Sequence, residues 1–175
     1  MRIQVLGFSQ QSVVTVDEVL QTFQVPPEAH RRGIHLIRYD PKREVASAIN
    51  QYLEPSITLQ TQGTFYQSDS LTAIVLWEFR NVTEFRHILF HEVGHHVFAK
   101  VLPQDMRDQW FYEIRPLEGT TVSKYACKNA KEDFAECYAT WLTRIDLLQK
   151  CPQRFKYFRK IFASPGAEEI GEGAF

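Results

Sequence analysis

The chain has 175 residues, of which 44% are hydrophobic, 23% charged and 13% aromatic, the composition of a soluble globular protein with length for one domain and a sizeable core. Its formal net charge of −1 gives no field that would recruit nucleic acid or an anionic membrane. No stretch of the sequence approaches 18 consecutive apolar residues, so a membrane-spanning helix is not expected.

Residues 1–10 carry a single charge and a short apolar run. A signal-peptide core of the usual length and a small-residue cleavage site are both missing. The expected location is the cytoplasm, with export by a route that needs no signal peptide left open. Residues 3–6 read as a short strand. Thr15 is placed to cap a helix, with Glu18 three residues on as its capping-box partner. That helix carries Val16, Val19, Leu20 and Phe23 and stops at Pro26-Pro27. Residues 27–33 open with Pro and close with Gly, which fits one or two helical turns. His30 and His35 have no partner at metal spacing and are expected to be surface or structural. Residues 34–39 read as a strand ended by Asp40-Pro41, residues 44–53 as a helix closed by Pro55, and residues 57–61 as an alternating β-run. After Gly63, a hairpin is expected over about 64–78, turning at Ser68-Asp69-Ser70 and returning through the apolar run 72–77.

The next helix organises the chain. Asn81 is its expected N-cap, with Glu84 as capping-box partner, and it should run over 82–101, ending before Pro103. It is apolar on most faces, so it should be buried. Within it stands His91-Glu92-Val93-Gly94-His95, an HExxH motif. Histidines at i and i+4 share one helical face, and two imidazoles there can bind one zinc ion. Glu92, turned by about 100° from His91, can serve a zinc-activated water as general base. Random placement of this chain's His and Glu residues would produce the pattern roughly once in sixty chains, so a third ligand must support it. His87 is not that ligand. It lies eight residues from His95, about 12 Å along the axis, and is expected to be structural or to support a ligand.

Residues 104–115 read as a helix with Trp110, Phe111 and Ile114 inward, followed by a loop over 116–121. Asn129 can cap a helix over about 130–144, with Phe134, Cys137, Tyr138, Trp141, Leu142 and Ile145 inward. Glu132 and Glu136 lie one turn apart on it. Both can reach the HExxH face, and spacing alone does not choose between them. Ala135 and Ala139 are small, and Gly94 offers a matching small surface, so the two helices should approach closely. Cys127, Cys137 and Cys151 are odd in number with no CxxC pair, which points away from a disulfide framework and toward a reducing compartment. Each is expected as a small buried hydrophobe rather than a metal ligand. Residues 152–162 form an amphipathic helix whose basic residues Arg154, Lys156, Arg159 and Lys160 should be solvated. Residues 165–175 are expected to fray.

HEVGH, followed by Tyr125 seven residues ahead of Glu132 in Glu132-Asp133-Phe134-Ala135-Glu136, resembles the family of the anthrax lethal factor catalytic domain and the Pro-Pro endopeptidases, which are gluzincin zinc peptidases. The resemblance covers about residues 63–142; residues 1–60 show no recognisable motif. It implies Zn2+ held by His91, His95 and Glu132, with Glu92 as general base. It also implies that Glu136 accepts from a ligand imidazole and that Tyr125 donates to the developing oxyanion. The expected fold is α+β and zincin-like: a small twisted sheet against the HExxH helix, with a mainly helical C-terminal half, all in a single domain over 1–175. The expected activity is hydrolysis of a peptide or protein substrate by a monomeric zinc metalloendopeptidase with no nucleic-acid or membrane partner. The edge of the 64–78 hairpin is expected to pair with an extended substrate. The alternatives are a catalytically silent zinc-binding regulatory or interaction module on the same fold, and a structural helical domain with a chance HExxH.

Overall fold

Four short runs, rich in β-branched and aromatic residues, assemble into one mixed sheet in a computed structural model that describes residues 3–44, 62–67 and 71–163. The strands are β1 (Gln4–Leu6), β2 (Leu36–Tyr39), β3 (Gly63–Gln67) and β4 (Thr72–Leu76). They are ordered β1-β2-β4-β3. β1, β2 and β4 run parallel, and β3 closes the edge antiparallel to β4, with Gly63 opposite Leu76 and Gln67 opposite Thr72. β4 is buried at every residue, as a strand covered on both faces must be. The β3–β4 pair is the expected hairpin. The expected helix over 44–53 (beyond Glu44), the run 57–61, the turn at 68–70 and the tail 165–175 lie outside the described residues.

The helices begin where local capping chemistry directs them. At α1 (Val16–Gln24) the Glu18 amide donates to Thr15 Oγ1 while the Thr15 amide donates to Glu18 Oε2, the expected reciprocal box. A single turn, α2 (Glu28–Arg31), follows. α3 (Val82–His96) is the HExxH helix, and Asn81 Oδ1 accepts from the Glu84 amide at 2.9 Å. The expected return bond from Glu84 is not made. Its carboxylate instead accepts from the Arg80 amide at 2.7 Å, Arg80 Nη2 at 3.0 Å and Gln62 Nε2 at 2.9 Å. A guanidinium competes well against a neutral amide for a carboxylate, because charge-assisted hydrogen bonds are about twice as strong. Beyond His96 the helix widens into a π turn over Val97–Val101, with the Leu102 amide donating to Val97 O, and then meets Pro103.

The C-terminal half is mainly helical. α4 (Gln104–Gln109) continues through Trp110–Ile114 and Arg115–Leu117. α5 (Ala130–Thr143), α6 (Ile145–Leu148) and α7 (Pro152–Ala163) follow. The fold is thus α+β, with a small mixed sheet beside a mostly helical remainder. α3 and α5 meet at their small residues. A Cβ on Gly94 would lie 2.9 Å from Ala135 Cα and 3.0 Å from Tyr138 Cβ, so the helix accepts the cost of glycine, about 0.5–1 kcal/mol, for this approach. Around that seam Phe85, Leu89, Phe134, Tyr138, Trp110 and Phe158 are buried. Among the described residues no helix is long and apolar enough to cross a membrane.

Three expectations about individual residues are corrected. Arg154 is 1% exposed rather than solvated. It makes a two-pronged pair with Asp133, through Nη2 to Oδ2 at 2.8 Å and Nε to Oδ1 at 3.2 Å, and its Nη1 donates to Glu118 Oε2 at 2.8 Å. The planar guanidinium fork matches a carboxylate, which lets an arginine on an amphipathic helix turn inward. Cys127 is exposed, while Cys137 and Cys151 are buried as expected. Phe111 is 37% exposed, because the wider turn over Trp110–Ile114 carries it off the face that buries Trp110.

Candidate metal centre

His91 and His95 stand one turn apart on α3 with ring centroids 4.7 Å apart. The partner element is the first turn of α5, fixed by Asn129 Oδ1, which accepts from the amides of Lys131 and Glu132. That cap delivers Glu132 to the histidines. His91 Nε2 lies 3.0 Å and His95 Nε2 3.2 Å from Glu132 Oε2, and the two nitrogens are 3.1 Å apart. These three residues can present one ligand atom each within 4.8 Å of one another.

Glu136, one turn further along α5, sits behind His91. Its Oε1 accepts from His91 Nδ1 at 2.8 Å and from His87 Nε2 at 3.2 Å, and its Oε2 accepts from Ser123 Oγ at 2.6 Å. The two glutamates that spacing could not separate therefore occupy distinct places: Glu132 at the Nε2 atoms and Glu136 at Nδ1. With Nδ1 donating to Glu136, a neutral His91 turns a lone pair at Nε2 toward the lone pairs of Glu132 Oε2. Two lone pairs 3.0 Å apart need a positive charge between them, a proton or a metal ion. Burial opposes the charge on His91, but the carboxylates of Glu132 and Glu136 outweigh it and hold its pKa up at about 10. Both carboxyls lie below the usual range. Burial opposes this too, and the histidines facing each one prevail.

Glu92 is 4% exposed. Burial pushes its carboxyl above the usual range, the Glu132 charge adds to that, and His91 and His95 pull against it. Its Oε2 and Nδ1 of His96 are the buried side-chain polar atoms without a hydrogen-bond partner among the described residues. Gly63 makes room for it: a Cβ there would stand 3.0 Å from Glu92 Oε1. Tyr125 lies on a short 3-10 turn, Tyr125–Cys127, with its ring edge-to-face on His91 at 5.6 Å. Burial, and then the Glu132, Glu92 and Glu136 charges, push its phenol pKa upward, which keeps the hydroxyl protonated as a donor.

His91, Glu92, His95, Tyr125 and Glu132 line one cleft of about 570 Å3. A smaller space of about 220 Å3, reaching His87 and Glu136, adjoins it. The structure thus brings together every site residue named from the sequence, with Glu136 behind the cleft. The sequence reading missed Ser123, Gly63 and the remaining cleft wall of Phe98, Arg107, Phe111 and Lys131. Gly63, at the start of a strand, was the one with a readable signal, since a strand glycine often marks close approach. The three other histidines are structural, His96 through Nε2 to Arg32 O at 3.0 Å. His30 Nδ1 meets Tyr138 Oη at 3.0 Å, and His35 Nδ1 accepts from the Thr72 amide at 3.2 Å.

No family model and no curated protein matches the chain. Among solved structures it is similar to a candidate zinc-binding metallo-peptidase from Bacteroides caccae, at 12% identity and a TM-score of 0.48, over 94% of this chain and 79% of that one. A likeness that remote assigns neither family nor activity.

Proposed function

We propose that this chain is a zinc-dependent metalloendopeptidase of the gluzincin type, on a zincin-like domain resembling that of the lethal factor family. The observation that carries the reading is the triangle of His91 Nε2, His95 Nε2 and Glu132 Oε2, with sides of 3.0–3.2 Å. Ligand atoms about 2.0–2.1 Å from a tetrahedral ion stand about 3.4 Å apart, so the triangle closes on zinc with shifts of a few tenths of an ångström. Two imidazoles and one carboxylate also suit zinc by donor type. The positive charge required between His91 Nε2 and Glu132 Oε2 can be supplied by a metal cation in place of a proton, which supports metal binding there. When bound, zinc keeps a fourth position open and supplies Lewis acidity that activates water and polarises a carbonyl.

The chain's own residues supply the rest. Glu136 holds His91 in the tautomer that presents Nε2. Glu92, with Oε2 unspent, takes a proton from water and returns it to the leaving amine. Tyr125 donates its hydroxyl to the oxygen that gains negative charge. Among the described residues β3 is the edge strand of the sheet, beside Glu92, which supports pairing with an extended peptide or protein substrate.

The test is metal content together with cleavage of an unbiased peptide library, for the native protein and for Glu92→Gln. The expected result is stoichiometric zinc in both and cleavage by the native protein only. Full activity in the zinc-loaded variant would remove Glu92 as the base. Stoichiometric zinc with no cleavage of any peptide would favour a silent binding module.

A further inference from the structure

Two phenyl rings and two cations line the cleft beside the metal centre. Phe98 and Phe111 meet edge-to-face with centroids 5.6 Å apart. Arg107 is held in place: its Nη1 donates to Ala99 O at 3.1 Å and its Nη2 to Gln104 Oε1 at 2.8 Å. Nη1 also donates to Phe98 O at 3.5 Å; a guanidinium has five N–H donors, so among the described residues Nε–H and one Nη2 hydrogen have no acceptor. Lys131 projects from the same turn of α5 as Glu132, its backbone amide fixed by Asn129. Among the described residues no carboxylate pairs with either cation.

Capping of the carbonyls at the end of the HExxH helix accounts for Nη1 of Arg107. It does not account for a second cation on the same cleft. The cleft has divided charge, with Glu92 and Glu132 at the metal centre and Arg107 and Lys131 on the remaining wall. Arg107 and Lys131 offer an entering anionic group a place on that wall, apart from the two carboxylates. The phenyl rings offer apolar surface to the carbons that carry it.

We propose that the cleft selects peptides bearing a carboxylate near the bond to be cut, held by Arg107 and Lys131, with the apolar part of the same segment on Phe98 and Phe111. The proposal rests on the peptidase reading. The carboxylate can come from an acidic side chain or from a free C-terminus, and the arms of the test separate the two.

Binding is measured directly to the zinc-loaded Glu92→Gln protein, which removes turnover from the readout. One arm compares Glu with Gln inside peptides amidated at the C-terminus. The other compares free and amidated C-termini on an otherwise neutral peptide. One arm should show carboxylate peptides binding about tenfold tighter, as a charge-assisted hydrogen bond provides. Adding Arg107→Met or Lys131→Met should each reduce the preference, and both together should bring it within about twofold, with neutral peptides unaffected. Lys131→Met leaves the helix cap alone, so it reports even if Arg107→Met unfolds the protein. Equal binding of acid and amide peptides in both arms overturns the proposal, as does a preference that survives Lys131→Met unchanged. Cleavage without carboxylate preference overturns this proposal and keeps the peptidase reading. Carboxylate-dependent binding without cleavage by the native protein does the reverse.

Discussion

Glu136 Oε1 lies 2.8 Å from His91 Nδ1, while Nε2 on the far side of the same ring faces Glu132 Oε2 at 3.0 Å. One imidazole is therefore clamped between two carboxylates with different tasks. Glu136→Ala should lower zinc affinity roughly 10–100-fold, the usual cost of losing the partner that orients a ligand histidine. Glu136→Gln should lower it less, because an amide oxygen still accepts from Nδ1. Competition against a chromophoric chelator measures both.

Tyr125 stacks by its edge on His91 and keeps a protonated hydroxyl at the cleft. Tyr125→Phe should cost roughly 10²–10³ in kcat, as loss of one oxyanion donor does. Zinc content should stay stoichiometric and KM should change little. A matching loss of bound zinc would show that the ring packs the ligands instead.

At Gly94 a side chain has nowhere to go, with Ala135 Cα and Tyr138 Cβ 2.9 and 3.0 Å from an added Cβ. Gly94→Ala gains up to about 1 kcal/mol in helix propensity but overpacks the seam at a cost of about 1–3 kcal/mol. A net loss of up to about 2 kcal/mol follows, together with weaker zinc binding as α5 and Glu132 are pushed away. Urea unfolding with and without zinc would detect each effect.

Stability should also fall in mild acid through His30. Burial, and then the nearby His96, lower its pKa from 6.5 to about 4. Between those values the unfolded chain binds the proton that the folded one refuses. Stability is therefore full above about 6.5, falls as pH drops from there to about 4, and levels off below, a loss on the order of 3 kcal/mol. The gap between urea midpoints at pH 7 and pH 4, in excess chelator, should narrow for His30→Gln, which has no ring to protonate and can still bond Tyr138 Oη. An unchanged pH slope in that variant would assign the effect to other groups.

Features encoded within a few residues were legible in the sequence. The Thr15–Glu18 box, the Asn81 and Asn129 caps and HExxH depend on neighbours within four positions, and the hairpin joins partners 5 to 13 positions apart. The tight seam at Gly94 was legible too, because a glycine inside an apolar helix asks for a reason. Features that depend on long separations were not. The parallel alignment of β1, β2 and β4 joins runs up to about seventy residues apart. Glu132 and Glu136 are equivalent on a helical wheel until α3 is laid beside them. Arg154 looked solvated because a wheel marks charge without showing that Asp133 waits on the other side. Glu84 looked like a capping-box member because Arg80, which takes its carboxylate, is not part of that pattern. The π turns at Val97–Val101 and Trp110–Ile114 shift the helical phase, and that shift turned Phe111 into the cleft.

Glu132 and Asp133 are consecutive residues of α5 with opposite allegiances. The first faces the cleft; the second is fully buried against Arg154, which belongs to α7. The turn that presents a candidate ligand is thus bolted from behind by a helix twenty residues downstream. A shortened version ending before Pro152 would keep HExxH, Tyr125 and Glu132 in its sequence, yet leave the buried Asp133 carboxylate with the longer 3.5 Å pair to Arg115 in place of the two-pronged pair to Arg154. Such a fragment would contain every residue of the centre and fail to assemble it, so zinc retention gauges how well the last helix is docked.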